Sequence, residues 1–366
     1  MKKSKTILIS GINMLEGGIF TILDNCLQKI SDYAKNKDLK IIALVHDASQ
    51  FKYPNITYIE FPKSKQNWFY RLYYEYFYFK KLSKEINPDV WFSLHDMSPN
   101  VVCKKQFLYY HHPTTFYRAT LNDWKFDYKI GVFSLFYKRL TQINLKKNTL
   151  VFVQQHWIKE KFEKVYQIKN IKVALPPFTE EITTQKIDLD TTKTHFFFPS
   201  FPRTFKNFEL IFDAIEQLDE KTRQKTRFHF TTIQDNPSKY AQHLLRTYTH
   251  LNEVHFLPTL NRETVLQYYN SIDCLLFPSK LETWGLPITE AKSYQKPMLL
   301  AHLPYAKETV GTYDKVSFFN PSDPKELAQL ITDFVNKKIV FDGNTTTFDT
   351  NDTLESWDTV FDYILK

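Results

Sequence analysis

Short apolar runs alternate with segments whose apolar residues fall at helical spacing, and this alternation, repeated along most of the chain, sets the fold class. Thr6 to Ser10 (TILIS) is a buried-strand run. A turn from Gly11 to Gly18 follows, and then Ile19, Ile22, Leu23, Cys26, Leu27 and Ile30 at i, i+3, i+4, i+7, i+8 and i+11, the period of a helix. Further strands are expected at Lys40 to Val45, Asp89 to Leu94, Gln106 to Tyr110 and Thr149 to Val153. Strands alternating with helices build a parallel sheet covered on both faces. A break with neither period runs from Leu175 to Lys193 and contains Pro176 and Pro177. Beyond it the alternation resumes, with strands at His195 to Phe198, Phe228 to Thr232, Val254 to Leu257, Asp273 to Phe277 and Pro297 to Ala301. Helices are expected at Asn207 to Leu218, Tyr240 to Tyr248, Arg262 to Asn270, Pro287 to Tyr294 and Pro324 to Phe334.

The expectation is an α/β chain of two doubly wound, Rossmann-like domains, residues 1–175 and 194–340, with the ligand site in a cleft between them at the carboxyl ends of the strands. The amphipathic end, Leu354, Trp357, Val360, Phe361 and Ile364, needs a surface to cover, and 354–366 is expected to return to the first domain.

At 366 residues with 43% apolar side chains, the chain can fill one large core or two ordinary ones, which excludes disulfide scaffolds and disordered tails. Cys26, Cys103 and Cys274 are odd in number, far apart and without CxxC spacing, which points to a reducing compartment and away from a zinc site. No run of about 18 apolar residues occurs, so a cytoplasmic chain with at most peripheral membrane contact is expected. Charge is uneven. Residues 1–179 carry 28 Lys and Arg against 14 Asp and Glu, and the remainder 20 against 26. An anionic partner belongs to the first half.

The most informative stretch is Phe277 to Glu290, FPSKLETWGLPITE, a strand end, a loop and a helix with Pro287 in its first turn. Glu282 falls in the loop, and Glu290, eight residues on, is expected in the first helical turn, where the macrodipole favours a carboxylate. Two carboxylates at a cleft mouth suit a polyhydroxylated ligand, whose hydroxyls donate charge-assisted hydrogen bonds. The backbone N–H groups of Thr283, Trp284 and Gly285 lie beside a helix N-terminus, where anions bind.

This stretch resembles the E-x7-E signature of retaining GT-B glycosyltransferases, family 4. Glu282, Gly285, Leu286, Pro287, Glu290, Ala291, Lys296 and Pro297 fit it, while Thr283 stands where that family usually has Gly. The resemblance implies transfer of a sugar from a nucleoside diphosphate to a saccharide or lipid-linked hydroxyl with retention. It assigns Glu290 to the ribose and Glu282 to the donor sugar, with Thr283, Trp284, Gly285 and Leu286 around the donor. A second segment, FPSFPRTFKN (Phe198 to Asn207), resembles the family's Arg/Lys segment and places Arg203 and Lys206 over the diphosphate, where charge grows as the glycosidic bond breaks.

In the first half, the resemblance implies that backbone at Gly17 and Gly18 approaches donor and acceptor closely. His111, followed by His112, matches a family histidine near the reacting sugar; His95 and Asp96 end the preceding strand, and Gln155 and Trp157 line the cleft. The implied mechanism is front-face displacement, with no cofactor and no obligatory metal. The nucleotide sugar is the substrate, no nucleic-acid partner is expected, and the biosynthesis of cell-surface polysaccharide or glycolipid is the setting. Two alternatives stay open: another GT-B enzyme, an epimerase or phosphorylase, or a membrane- or nucleic-acid-binding protein that kept the fold.

Other signals point elsewhere. Asp188-Leu-Asp190 has DxD spacing but sits in the break, and the sequons at Asn55 and Asn344 are not expected to meet a secretory route. No His/Cys cluster has metal-ligand spacing and no GxSxG or Walker loop occurs. Asn67 to Lys84, NWFYRLYYEYFYFKKLSK, interleaves rings with Arg71, Lys80, Lys81 and Lys84, as an interfacial helix does; a helix between sheet and solvent has the same pattern.

Overall fold

The computed structural model describes residues 4–15, 17–35, 37–176, 178, 181–348 and 352–366. Pro177, which entered the reading of the break, lies outside the described residues. The chain divides into two compact units, one of residues 1–116, 135–178 and 348–366, the other of 117–134 and 179–347. Residues 117–134 thus group with the second unit, whereas the alternation alone assigned them to the first.

Strands of the first unit are β1 (Lys5–Ser10), β2 (Leu39–Val45), β3 (Ile56–Glu60), β4 (Val90–Ser93), β5 (Lys105–Tyr110), β6 (Leu150–Val153) and β7 (Ile171–Ala174). The second unit has β8 (Thr194–Phe198), β9 (Thr226–Phe230), β10 (Val254–Phe256), β11 (Cys274–Phe277), β12 (Met298–Ala301) and β13 (Val316–Phe319), and β14 (Thr353–Leu354) follows. The first sheet runs β14-β7-β6-β5-β4-β1-β2-β3 and the second β10-β9-β8-β11-β12-β13, and the strand pairings in both are parallel. Both orders reverse direction at one point, between β1 and β4 and between β8 and β11. That is the doubly wound Rossmann-like arrangement, and it is why central strands such as LVFV and CLLF read as unbroken apolar runs.

The helix Trp357–Ile364 returns to the first unit. Ser356 caps it in a capping box with Thr359, and Trp357, Val360, Phe361 and Ile364 are buried on one face. Trp357 lies 5.4 Å from the Tyr109 ring and Phe361 lies 5.5 Å from Tyr33. Four such side chains contribute roughly 6 to 12 kcal/mol of apolar burial before ordering costs. The second core is built on packed rings, with Phe196 stacked on Phe228 at 4.9 Å, and Phe198 against Phe208 at 4.7 Å and Phe212 against Phe230 at 4.8 Å, both tilted. Among the described residues, no helix is long and apolar enough to cross a membrane.

Candidate active site

At the β8/β11 reversal the two following connections leave toward opposite sides, which opens a crevice outside the carboxyl ends of these strands. The exit from β8 carries Pro199 and Pro202, which resist a helix until the short turn Thr204–Lys206. Asn207 then takes left-handed backbone (φ 63°) and starts the helix Phe208–Glu216. Its buried amide donates to the carbonyls of Pro278 (3.3 Å) and Pro321 (2.9 Å), and Lys280 N–H donates to Phe205 O at 2.8 Å. The exit loops of β8 and β11 are thereby tied together.

On this frame Lys206 Nζ stands 2.5 Å from Glu282 Oε1, both side chains mostly buried, and 5.7 Å from the Phe277 and Phe205 ring centroids. Arg203 takes a different partner. Its exposed guanidinium meets Asp127 at 3.2 Å, in the segment that joins the second unit. The neighbouring Asp123 is fully buried, accepts from Thr120 N (2.6 Å) and Tyr117 OH (2.8 Å), and accepts from the Thr204 hydroxyl, so it fixes this segment to the Arg203–Lys206 turn.

Gly285 has φ 90° and precedes the helix Leu286–Ser293, with Pro287 in its first turn. The positive φ calls for glycine, and a Cβ there would lie 3.3 Å from Ile288 Cδ1, a tight contact. Trp284 is held at both ends: its indole donates to Thr289 Oγ1 at 2.9 Å and its carbonyl accepts from Thr309. Thr283 and Leu286 are half-buried beside it.

Glu290 corrects one expectation. It lies in the second helical turn, so the partial charge of the helix end is not what neutralises it. Arg262 does that instead, through an ion pair from Nη1 to the buried Glu290 carboxylate, while its Nε donates to Glu181 at 3.0 Å. Arg262 escaped the sequence reading. Its signal was a cation in the first turn of a helix (Arg262–Ser271), where the dipole disfavours one.

The first unit has its own crevice between β1 and β4. Gly17 (φ 65°) opens the helix Gly17–Tyr33, and a Cβ on Gly17 or Gly18 would meet nothing within 4 Å, so this backbone faces open space. Behind it lies a buried polar cluster that sequence reasoning saw only in part. Ser10 Oγ and Glu75 Oε1 both approach His95 Nε2, at 3.2 and 3.1 Å, and Arg71 Nη2 donates to Asp96 Oδ1 at 3.0 Å.

Glu75 reaches inward from a π-helical turn, Tyr74–Tyr78, a distortion frequent at functional sites. The Glu75–His95 contact has ion-pair geometry but is a neutral pair. Burial pushes the Glu75 carboxyl up to about 8 and the His95 imidazole down to about 3. Burial also works to raise Asp96, but the Arg71 guanidinium outweighs it and holds that carboxyl well below the usual range. His111 is buried, which pushes its imidazole down to about 4 against the pull of Asp96, and His112 stacks on Tyr137 at 4.5 Å. Gln155 Oε1 accepts from the Trp157 indole at 2.5 Å. The visible signal for Glu75 was a lone acid, four residues after Arg71, in a run of rings and bases.

Against known proteins, residues 179–343 match the family described as Glycosyl transferases group 1. The chain's GT-B fold is that of solved glycosyltransferases. The lipopolysaccharide outer core galactosyltransferase WaaB is 13% identical, with a TM-score of 0.64 and 92% of each chain covered. The Anabaena protein HepE, in complex with UDP, is 16% identical, with a TM-score of 0.61 over 91% of this chain and 90% of that one. A glycosyltransferase from Rickettsia africae is 14% identical, with a TM-score of 0.61 over 92% of this chain and 89% of that one. No curated protein matches by sequence. The family match spans the unit that carries Glu282, Glu290, Arg203 and Lys206.

Proposed function

We propose that the chain is a retaining glycosyltransferase that moves a sugar from a nucleoside diphosphate to a hydroxyl of a saccharide or lipid-linked acceptor, in the assembly of a cell-surface polysaccharide or glycolipid. The observation that carries this reading is the pairing of both signature carboxylates with cations at one strand reversal, Lys206 with Glu282 and Arg262 with Glu290. Glu290, paired with Arg262 in its buried position, accepts from the ribose hydroxyls. Glu282 accepts from donor-sugar hydroxyls, with Thr283 to Leu286 beside it. Lys206 and Arg203 meet the diphosphate.

In the step itself the bond from the anomeric carbon to the phosphate oxygen breaks, and the electron pair leaves with the nucleoside diphosphate. The acceptor oxygen bonds to the same face, and its proton passes to the departing phosphate oxygen. The protein supplies position and positive charge, which grow in value as the diphosphate separates. Gly17 and Gly18 admit the ligand close to backbone, and His111, kept neutral by burial, can donate to or accept from a sugar hydroxyl. The free thiols, with Cys26 and Cys274 buried, suit a reducing cytoplasm.

HepE has also been solved with UDP-glucose, which makes that sugar the first donor to try. The test is a panel of UDP-, GDP- and ADP-sugars read by thermal shift, followed by mass and linkage analysis of products. A stabilising donor and an axial or equatorial linkage retained from it support the reading. An isomerised donor with no acceptor product would make the protein an epimerase, and no response to any donor would overturn the assignment.

A further inference from the structure

The helical run Trp68–Tyr73, Tyr74–Tyr78 and Phe79–Ile86 buries one face and leaves another bare. Inward, Tyr74 and Phe79 pack edge-on to Phe61, at 5.0 and 5.4 Å, and Glu75, Phe79, Leu82 and Ser83 are buried. Outward, Phe69 is 73% exposed, Phe77 70% and Tyr73 43%, at spacings of four residues, with the Tyr73 and Phe77 rings stacked at 6.5 Å. The same stripe continues into exposed Lys80, Lys81 and Lys84. Beside it, the Trp68 ring meets Tyr137 at 6.4 Å; Leu135 (62% exposed) and Phe136 (53%) flank that tyrosine on one side, and exposed Lys138 and Arg139 on the other. The one exposed acid of the helical run, Glu85, is itself opposite Lys81 at 3.9 Å.

We propose that this face docks the chain on an anionic lipid bilayer, with Phe69, Tyr73 and Phe77 entering the acyl boundary and Lys80, Lys81 and Lys84 meeting the headgroups. Bare phenyl tips gain nothing from a phosphodiester backbone or a polar protein surface, but they gain full burial in hydrocarbon. Cations ranged along the same stripe, in a half-chain with twice as many bases as acids, complement an anionic headgroup layer. No described helix spans a membrane, so the run lies in the plane of the interface, as amphipathic helices with aromatic and basic faces do. The face shares no side chain with the groups assigned to sugar transfer, so it stands or falls apart from that assignment.

The test is co-sedimentation of the full chain with acceptor-free vesicles, one set of equal parts phosphatidylglycerol and phosphatidylcholine and one of phosphatidylcholine alone. Binding is expected to the anionic set, weakening with salt. A Phe69→Ser/Phe77→Ser variant and a Lys80→Glu/Lys81→Glu/Lys84→Glu variant should each lose about tenfold or more in partition. An unchanged thermal transition certifies that they fold. Phe77→Trp should bind as the parent does and be quenched by lipids brominated in the acyl chain. No binding to anionic vesicles, binding unaffected by both variants, absence of quenching, or retention by single-stranded RNA in preference to vesicles would each overturn the proposal. Vesicle binding by a protein inert toward every nucleotide sugar would leave the docking face standing and remove the catalytic reading.

Discussion

Glu75 offers the sharpest test of the buried cluster, because neutral and ionised forms of the Glu75–His95 contact predict opposite slopes. Both side chains are wholly inaccessible, and neither ion would be compensated by surrounding water. With Glu75 up to about 8 and His95 down to about 3, both groups are uncharged at neutral pH, 3.1 Å apart. The folded value lies above that of an exposed carboxyl near 4.5, so the fold holds a proton that the unfolded chain releases. Stability is therefore fully present below pH 4.5 and falls as pH rises toward 8. By pH 7 the loss from this one group is about 3 kcal/mol.

Glu75→Gln keeps the shape and a polar group beside His95 but cannot titrate. The variant's stability relative to the parent should thus rise by about 3 kcal/mol between pH 4.5 and pH 7 and flatten above pH 8. His95, His111 and His112, buried and shifted down, give stability that rises with pH below their unfolded values, and the slope cancels in the difference. Urea unfolding of the unit that holds residue 75, run in parallel on both proteins across this range, measures the difference. Infrared spectra of parent minus variant at pH 7 should show a carboxylic-acid carbonyl. A flat difference with carboxylate bands would mean an imidazolium–carboxylate pair, and the reasoning from burial would fail.

Lys206→Ala should lower kcat about a hundred- to a thousandfold with a smaller change in donor KM, because its charge matters most when the diphosphate departs; steady-state kinetics in which only KM rises would refute this. Glu290→Gln should weaken donor affinity about ten- to a hundredfold by calorimetry, since it removes charge-assisted bonds to the ribose and frees Arg262; unchanged affinity would displace Glu290 from the ribose. Gly285→Ala forces φ 90° on a residue with a Cβ and sets it against Ile288, so a loss of about 1 to 3 kcal/mol is expected in urea denaturation of the second unit, and no loss would mean that this turn relaxes freely.

Local period and turn chemistry were enough for the central strands and for the loop that bears Glu282, because strands buried on both faces have no polar alternation to blur them. Edges were harder. β3 is half-exposed and reads as mixed polarity, and β14, two residues long, exists only because β7 offers it an edge. The site divides the same way. A motif can mark Glu290, but the cation that neutralises it, Arg262, lies 28 residues earlier, and its role depends on which helix follows β10 in space. Asp123 is joined to the Arg203–Lys206 turn by a contact 81 residues long, which no window along the chain contains. Glu75 was hidden for another reason: it looks like a surface acid until a π turn, which shifts the register of a helix by one residue, rotates it into the core. The groups that escaped are those whose partner is chosen by tertiary structure, and they are the groups that set charge at the site. Signature residues therefore name the chemistry, while its electrostatics must be read from the fold.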